Sequence, residues 1–391
     1  MIFWNKFIQL VKKPRFILVI WIVLALLAGL KEYAGHSYNN YLLFKYVYFH
    51  TVNQQHLFTQ YPEIYFDNNH YGPFFSLVIA PFAFLHDGIA IPLWLIIGAL
   101  SLFYAIRALP IDDEQKVIIY LFITSELYTS YVNTQLNPVV TATIIFSYCF
   151  IRKEKDMWAA FLIMFGTFIK LYSIAGLAFF FFSKHKIKLI SYCILWAILF
   201  FALPMAISSP EFIIRTYDDW LKALTLKNSL NASLTAHQDF SVMGLYRRAT
   251  GNPDVSSLYF LIPGIFLFFV PYLKISYYKN ELFQQYLLCS VLIFIVIFSS
   301  SSEGSTYIIS MTGVSLWFVL HQRPRSKMVI ALMAFAILLT SLLPTIFPSS
   351  IYRLYALKAL PSTLVWLYLT YEMITFRQKP MIYPSSSSMI N

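Results

Sequence analysis

Charged residues are scarce in this chain. They occupy 12% of its 391 positions, and only 18 residues are acidic. A soluble globular domain carries about 25% charged residues, so the composition excludes a soluble globule. Hydrophobic residues reach 59% and the mean hydropathy is +0.64. Short basic clusters separate the apolar runs, as expected for helices that cross a bilayer core of about 30 Å.

Cysteine is also rare, with Cys149, Cys193 and Cys289 each inside an apolar segment. An odd, dispersed trio predicts neither a disulfide framework nor a metal site. The sequence has no glycine-rich phosphate loop, no internal repeat and no soluble domain, which argues against a nucleotide-dependent enzyme. We therefore predict no metal ligands and no certain cofactor, and the need for a divalent metal stays open.

The apolar pattern predicts the all-α class: a polytopic transmembrane helical bundle of about 11–13 segments, forming one integral membrane domain over residues 1–391. Residues 16–30 also fit a signal peptide, but the long apolar run without a clear cleavage site favours an uncleaved first helix. The predicted segments are 15–31, 73–85, 89–107, 117–132, 138–151, 157–183, 189–207, 256–273, 284–300, 306–321, 328–347 and 359–376.

The net charge of +11 comes from small clusters at segment ends. That is the positive-inside pattern, which orients helices and argues against nucleic-acid binding. It predicts a multi-pass protein of the cell (plasma or inner) membrane with both termini in the cytoplasm. The clusters are Lys12/Lys13/Arg15, Arg152/Lys153/Lys155, Lys184/Lys186/Lys188, Arg323/Arg325/Lys327 and Arg377/Lys379.

The same rule places two long loops, 32–72 and 208–255, on the outer face, and a partly disordered tail, 377–391, in the cytoplasm. The first loop is rich in aromatic residues and predicts a helix lying in the membrane interface. Two topologies remain open between 73 and 183. If 73–107 crosses once and 157–183, interrupted at Lys170, is a hairpin of half-helices, the basic residues of 152–155 lie inside and 133–137 lie outside, which the positive-inside rule favours. If 73–85 and 89–107 both cross fully, these assignments reverse.

Half of the 18 acidic residues fall in segments predicted to lie outside. Glu63 and Asp67 lie in the first, and Glu303 lies between two apolar segments on the same face. Glu126 alone is inside an apolar segment, where a carboxylate marks a functional site by default or is bonded to a neighbouring helix. An ion-coupled transporter needs several ionisable groups near the midplane. This distribution instead favours chemistry at the outer interface.

An interfacial enzyme without a nucleotide site can take its activated group from a lipid. Sugar transfer from a polyprenyl phosphate needs a carboxylate base and cationic donors for the leaving phosphate. Candidate bases are Glu63 and Asp67, and candidate phosphate ligands are Lys170, Arg247 and Arg248. Each has a simpler interpretation: Asp67 caps a turn, the arginines bind lipid headgroups, and Lys170 extends its ammonium to the interface.

Four patches, in order over residues 15–320, resemble the GT-C type membrane glycosyltransferases, specifically family 87, which includes polyprenyl-phosphate-mannose-dependent mannosyltransferases. No single patch is specific, and the match depends on their order and spacing. The patches are Asn39–Phe44 with Tyr61-Pro62, Tyr71-Gly72-Pro73 and Ala80-Pro81; Ser125-Glu126 with Gln135–Pro138; Phe168–Tyr172; and Asn231 with Ser241–Arg247 and Ser300–Tyr307.

The resemblance implies a bundle whose active site lies at the outer face and whose donor is a lipid-phosphate sugar. In the family the general base is an Asp at the start of the first outer loop, but Asn39 and Asn40 occupy that place here. Either Asp67, Glu63 or Glu303 takes the role, or activity is altered. The substrate-binding candidates in the patches are Asn39, Asn40, Tyr71, Glu126, Gln135, Asn137, Asn231 and Tyr307.

The expected function is that of an inverting hexosyltransferase. It would move a sugar, with mannose as the candidate, from a polyprenyl-phosphate donor to a lipid-linked or cell-envelope glycan. Its partners would be membrane lipid, the donor and the glycan acceptor, without nucleic acid. Two alternatives stay open: a flippase or transporter of lipid-linked glycans, and a catalytically altered relative that serves as an assembly partner.

Overall fold

The computed structural model describes residues 13–236, 238–342 and 356–377. Within these ranges the regular secondary structure is helical, apart from an isolated bridge between Tyr61 and Tyr65, which confirms the all-α class. The α-helices are α1 Pro14–Ala34, α2 Asn39–Val52, α3 Phe75–Ala83, α4 Asp87–Ala108, α5 Asp113–Val132, α6 Asn137–Arg152, α7 Asp156–Ile169, α8 Lys186–Ala202, α9 Pro210–Asn231, α10 Val242–Thr250, α11 Leu258–Phe269, α12 Glu281–Ile297, α13 Tyr307–Leu320, α14 Lys327–Ala336 and α15 Ala359–Ile374.

Among the described residues, three helical stretches are long and apolar enough to cross a membrane: Pro14–Ala34, Asp87–Ala108 and Lys186–Ala206. Several shorter apolar helices accompany them. A helix suits these sequences because a backbone in lipid must satisfy its own hydrogen bonds. In α1, Trp21 is fully buried while Val19 and Val23 are exposed, so one face packs and the other is free to meet lipid. The predicted membrane bundle is confirmed.

The long apolar stretch 157–183 consists of two helical pieces. Helix α7 ends before Lys170, whose backbone is extended (φ −149°, ψ 119°), and a 3₁₀ helix, Leu171–Phe182, follows. The second piece doubles back on the first, since Gly166 lies against Ser173 and Gly176 against Ile163. Lys170 therefore stands at the tip of a hairpin, as the length of the stretch suggested.

Both predicted outer loops contain helices. Helix α2 lies in the first, and α9 and α10 lie in the second. Their place outside the membrane stays a prediction, as does the inner place of the termini. Residues 1–12, 343–355 and 378–391 lie outside the described residues. The predictions for Lys12, for the end of segment 328–347 and for most of the tail fall in these ranges.

Candidate active site

Two adjoining cavities meet where the predicted outer segments approach the hairpin tip. The large cavity has a volume of about 740 Å³ and the small cavity about 60 Å³. His70, Lys170, Lys227 and Glu303 line both cavities and form what we call the junction. The two cavities therefore adjoin at two lysines, one histidine and one carboxylate.

The small cavity is polar and brings together six residues that the sequence singled out. Asp67 lines this cavity but not the large one, whereas Glu303 belongs to both. The six predicted residues are Asn40, Asp67, Tyr71, Gln135, Lys170 and Glu303. The structure adds Asn68, His70, Lys227 and Gln238 to them.

The large cavity has an apolar wall and a polar rim. Its size falls within the range of about 300–1,000 Å³ that is typical of ligand sites. The rim includes the Tyr172 hydroxyl, which shares a hydrogen bond with Ser299 at 2.9 Å. The apolar wall comes from the 3₁₀ helix, α11 and α12 and includes Leu171, Ile174, Leu258, Leu261, Ile295 and Phe298.

A tight turn at 69–72 presents His70 to the junction. The buried Asn69 side chain accepts from the Tyr71 N–H (2.9 Å) and donates to the Tyr71 carbonyl (3.1 Å). Trp220 of α9 donates its indole N–H to the His70 carbonyl at 2.9 Å. The Gly72 N–H donates to the Ile169 carbonyl at 3.1 Å. The turn is thus held between α9 and the end of α7.

His70 is held in its neutral form. Burial, together with the nearby ammonium groups of Lys227 and Lys170, lowers the pKa of His70 to about 3. Its Nδ1 atom is buried and has no hydrogen-bond partner in the described part of the chain. The imidazole therefore adds no positive charge to the two lysines at neutral pH.

Asp67 occupies an exposed turn that is fixed from helix α2. The Asn39 side-chain oxygen accepts a hydrogen bond from the Phe66 N–H at 2.8 Å, one residue before Asp67. One oxygen of the Asp67 carboxylate accepts the Asn68 N–H at 2.7 Å. Asn40, by contrast, donates to the Asn133 carbonyl at 2.9 Å and lines the small cavity. Asn39 therefore supports the segment that carries the carboxylate.

Lys170 links three parts of the site. Its ammonium donates to the Asn137 side-chain oxygen at 2.9 Å and lies 5.7 Å and 5.3 Å from the ring centroids of Tyr71 and Tyr172. The Asn137 amide in turn donates to the Ser305 carbonyl at 3.0 Å. Asn137 thus connects Lys170 to the loop that bears Glu303, and is not itself among the residues lining either cavity.

The loop 299–306, which we call the Glu303 loop, is tied down by several side chains. Asn231 donates its amide N–H to the Ser300 carbonyl at 3.0 Å, and the Phe240 N–H donates to the Ser302 carbonyl at 2.8 Å. The Tyr307 hydroxyl donates to the Phe240 carbonyl at 2.6 Å. Asn231 and Tyr307, both predicted as substrate ligands, are buried supports of this loop.

Lys227, which the sequence interpretation missed, extends from α9 into the junction. Its ammonium makes no hydrogen bond or ion pair with any part of the chain that the structure describes. Burial lowers the pKa of Lys227, and the carboxylates of Glu303 and Asp67 oppose that shift. Thr216, Trp220 and Asn231 are buried at helical intervals on α9. Lys227 falls on the same helical face, and this spacing is the sequence signal that could have identified it.

The predicted arginines are engaged with protein groups. Arg247 lines the large cavity, yet its guanidinium is ion-paired with Asp239 at 3.0 Å and donates to Ser257 at 2.7 Å. Arg248 donates to backbone carbonyls of residues 236, 238 and 239 and lines neither cavity. Their role in phosphate binding stays a prediction.

Glu63 and Glu126 also lie away from both cavities. Glu63 is exposed. Glu126 is buried in an ion pair with Lys358, with 3.1 Å between the ammonium and a carboxylate oxygen. The same ammonium lies 3.5 Å from the Gly304 carbonyl. Lys358 thus connects Glu126 to the Glu303 loop.

The chain thus combines a helical membrane architecture with a polar cavity that is lined by carboxylates and lysines. In the described part of the chain, no group of three or more His, Cys, Asp or Glu residues could hold a metal ion. The family model for glycosyltransferase family 87 matches residues 69–300, more than half of the chain, and no curated protein matches.

The chain therefore belongs to glycosyltransferase family 87, which makes it a membrane glycosyltransferase. The matched range contains three of the four junction residues, His70, Lys170 and Lys227. It ends before Glu303 and begins after Asp67. The family match therefore covers neither Asp67 nor Glu303.

Proposed function

We propose that the protein transfers a hexose, with mannose as the candidate sugar, from a polyprenyl-phosphate donor to a hydroxyl of a lipid-linked or cell-envelope glycan at the outer membrane face. One observation supports this most: a small polar cavity with carboxylates meets a large, apolar-walled cavity at two lysines. The lipid tail would take the apolar wall, the phosphate the junction and the sugar the polar cavity.

Asp67 is the proposed general base. It lines the small cavity and not the large, apolar-walled one, so an acceptor hydroxyl that binds in the small cavity would meet its carboxylate. Glu303 lies at the junction beside the lysines, so its carboxylate stands where the leaving phosphate would be. A negative charge there suits orientation of the lysines and sugar hydroxyls better than proton removal from the acceptor.

In the proposed step, the acceptor oxygen forms a bond to the anomeric carbon. The bond from that carbon to the phosphate oxygen breaks, and its electron pair stays on the phosphate. The acceptor proton passes to the Asp67 carboxylate. Attack from the small cavity and departure toward the large cavity are on opposite faces of the sugar, so the configuration inverts. The junction lysines would stabilise the departing phosphate.

The test uses purified protein in proteoliposomes with a defined polyprenyl-phosphate mannose donor and a lipid-linked glycan acceptor. Asp67→Asn should lower kcat by about 10²–10⁴-fold, the usual contribution of a general base. Glu63→Gln, a control outside both cavities, should leave kcat unchanged. Proton NMR of the product should show the inverted anomer.

Two results would count against the proposal in different ways. Full activity in Asp67→Asn with loss in Glu303→Gln would move the base to Glu303. Absence of transfer by the wild type from any polyprenyl-phosphate sugar, with transfer from another donor class, would overturn the proposed donor.

A further inference from the structure

Lys227 and Lys170 differ in what they already bind. The ammonium of Lys170 is committed to the Asn137 side chain at 2.9 Å and lies over two tyrosine rings. The ammonium of Lys227 has no hydrogen-bond or ion-pair partner among the described residues, although its side chain is half-buried. A lysine ammonium has three donors. None of the three in Lys227 meets an acceptor among the described residues, so all are available to a ligand in the cavities.

The position of Lys227 identifies the kind of ligand that would satisfy it. It lines both cavities, with the apolar wall of Leu258, Leu261 and Phe298 on one side and Asp67 on the other. Neighbouring residues on α9 are fixed, because Asn231 donates to the Ser300 carbonyl and Trp220 donates to the His70 carbonyl. The helix thus holds Lys227 at the boundary between apolar and polar space.

We propose that Lys227 is the principal ligand of a lipid phosphate at the junction, and that Lys170 is a positioning residue that orders the hairpin tip and the Glu303 loop. This assignment rests on the proposed function, because it takes the donor to be a phosphate with an apolar tail. The phosphate oxygens accept the three Lys227 donors while the tail lies along the apolar wall.

His70 makes the assignment more specific. Its low pKa keeps the imidazole neutral, so the cationic charge of the junction belongs to the two lysines. Lys170 stays bonded to Asn137 when the site is empty, whereas Lys227 can move its ammonium toward an arriving anion without breaking a protein hydrogen bond. The site would then take up phosphate through one free cation and keep its loop supports intact.

The experiment measures equilibrium binding of farnesyl phosphate to the full chain in nanodiscs, with farnesol as the matched uncharged ligand. Lys227→Gln should raise the Kd for farnesyl phosphate by roughly ten- to a hundredfold, as loss of a charge-assisted hydrogen bond predicts. It should leave farnesol binding unchanged. Lys227→Arg, which restores a cation, should recover most of the affinity.

Lys222→Gln is the matched control, since Lys222 lies on the same helix, is exposed and pairs with Asp218. It should bind farnesyl phosphate like the wild type. Excess inorganic phosphate should compete weakly; displacement at low concentration would mean a free-phosphate site and would overturn the lipid assignment. The melting temperature of each variant confirms that the fold is intact.

Two failures are distinguishable. Lys227→Gln with wild-type affinity, while Lys170→Gln loses binding, would overturn the assignment of Lys227 and leave the proposed function standing. A wild type that binds farnesol as tightly as farnesyl phosphate would count against a phosphate lipid as donor, and so against both proposals.

Discussion

The side-chain oxygen of Asn39 accepts a hydrogen bond from the backbone N–H of Phe66 at 2.8 Å. The two residues are 27 positions apart, and the bond ties the first turn of α2 to the segment that carries Asp67. Asn39, which the resemblance predicts to stand at the family's aspartate position, thus fixes the backbone next to another carboxylate, Asp67.

Removing this hydrogen bond should loosen the Asp67 turn. Asn39→Ala should lower kcat by about ten- to a hundredfold, since misplacement of a catalytic group by about 1 Å can cost 10²-fold. Asn39→Asp keeps an acceptor for the Phe66 N–H and should retain most of the activity. Steady-state transfer assays at matched melting temperature measure both. A gain of activity in Asn39→Asp would instead show that position 39 itself can act as the base.

Removing one partner of the buried pair of Glu126 and Lys358 should be strongly destabilising. Both side chains are at most 2% exposed. Lys358→Met leaves a carboxylate buried without its partner and should lower the free energy of unfolding by about 3–5 kcal/mol. The double variant Glu126→Gln/Lys358→Met should recover much of that loss. Denaturant unfolding in detergent gives the values.

An exposed ion pair provides the comparison. Lys184 and Glu154 are 2.6 Å apart, with side chains 72% and 44% exposed. Lys184→Gln should change the free energy of unfolding by less than about 1 kcal/mol. A similar loss in Lys184→Gln and Lys358→Met would mean that burial does not set the strength of these pairs.

His70 should make the protein sensitive to acid. Its pKa is about 3 in the folded chain and 6.5 in its ordinary state. Between these values the unfolded chain binds a proton that the folded chain does not, so stability falls as the pH falls. From pH 7 to pH 5 the wild type should lose about 1 kcal/mol more than His70→Asn, after allowance for partial exposure. Unfolding at both pH values tests this. Equal losses would contradict it.

Gly72 should not tolerate a side chain. A Cβ atom there would lie 2.3 Å from the Phe168 carbonyl oxygen and 2.9 Å from the Trp220 ring. Because the nearest atom belongs to the backbone, Gly72→Ala should shift the turn that presents His70, cost about 1–3 kcal/mol and reduce kcat. Gly98→Ala, whose Cβ would meet Pro138 at 3.7 Å, is the control and should be tolerated. Wild-type stability in Gly72→Ala would contradict the expected displacement.

Apolar length and basic clusters were enough to predict the membrane bundle, because lipid leaves the backbone few alternatives to a helix. The order of the carboxylates and aromatic patches also pointed to Asp67, Lys170 and Glu303, which the structure brings to one cavity. Lys227 and His70 were missed because each lies in a segment that reads as a polar loop. Lys227 and His70 come together only because α9 packs against the 69–72 turn.

Long-range pairing explains the remaining differences. Glu126 lies 232 positions from Lys358, and no local pattern predicts which cation reaches a buried carboxylate. Arg247 resembles a free phosphate ligand in the sequence, but Asp239, eight residues earlier, occupies its guanidinium. Tertiary packing decides which residues become partners, so local sequence patterns do not reveal these pairs.

The hydrogen bond from Trp220 to His70 joins positions that are 150 residues apart. Ribosomes add about 5–20 residues per second. The turn that carries His70 would therefore leave the ribosome on the order of 10 s before α9 can support it. The hairpin tip with Lys170 is synthesised within that interval, before α9 is in place. The candidate site is thus completed late in biogenesis, because its cavities also need the Glu303 loop, which is synthesised after α9.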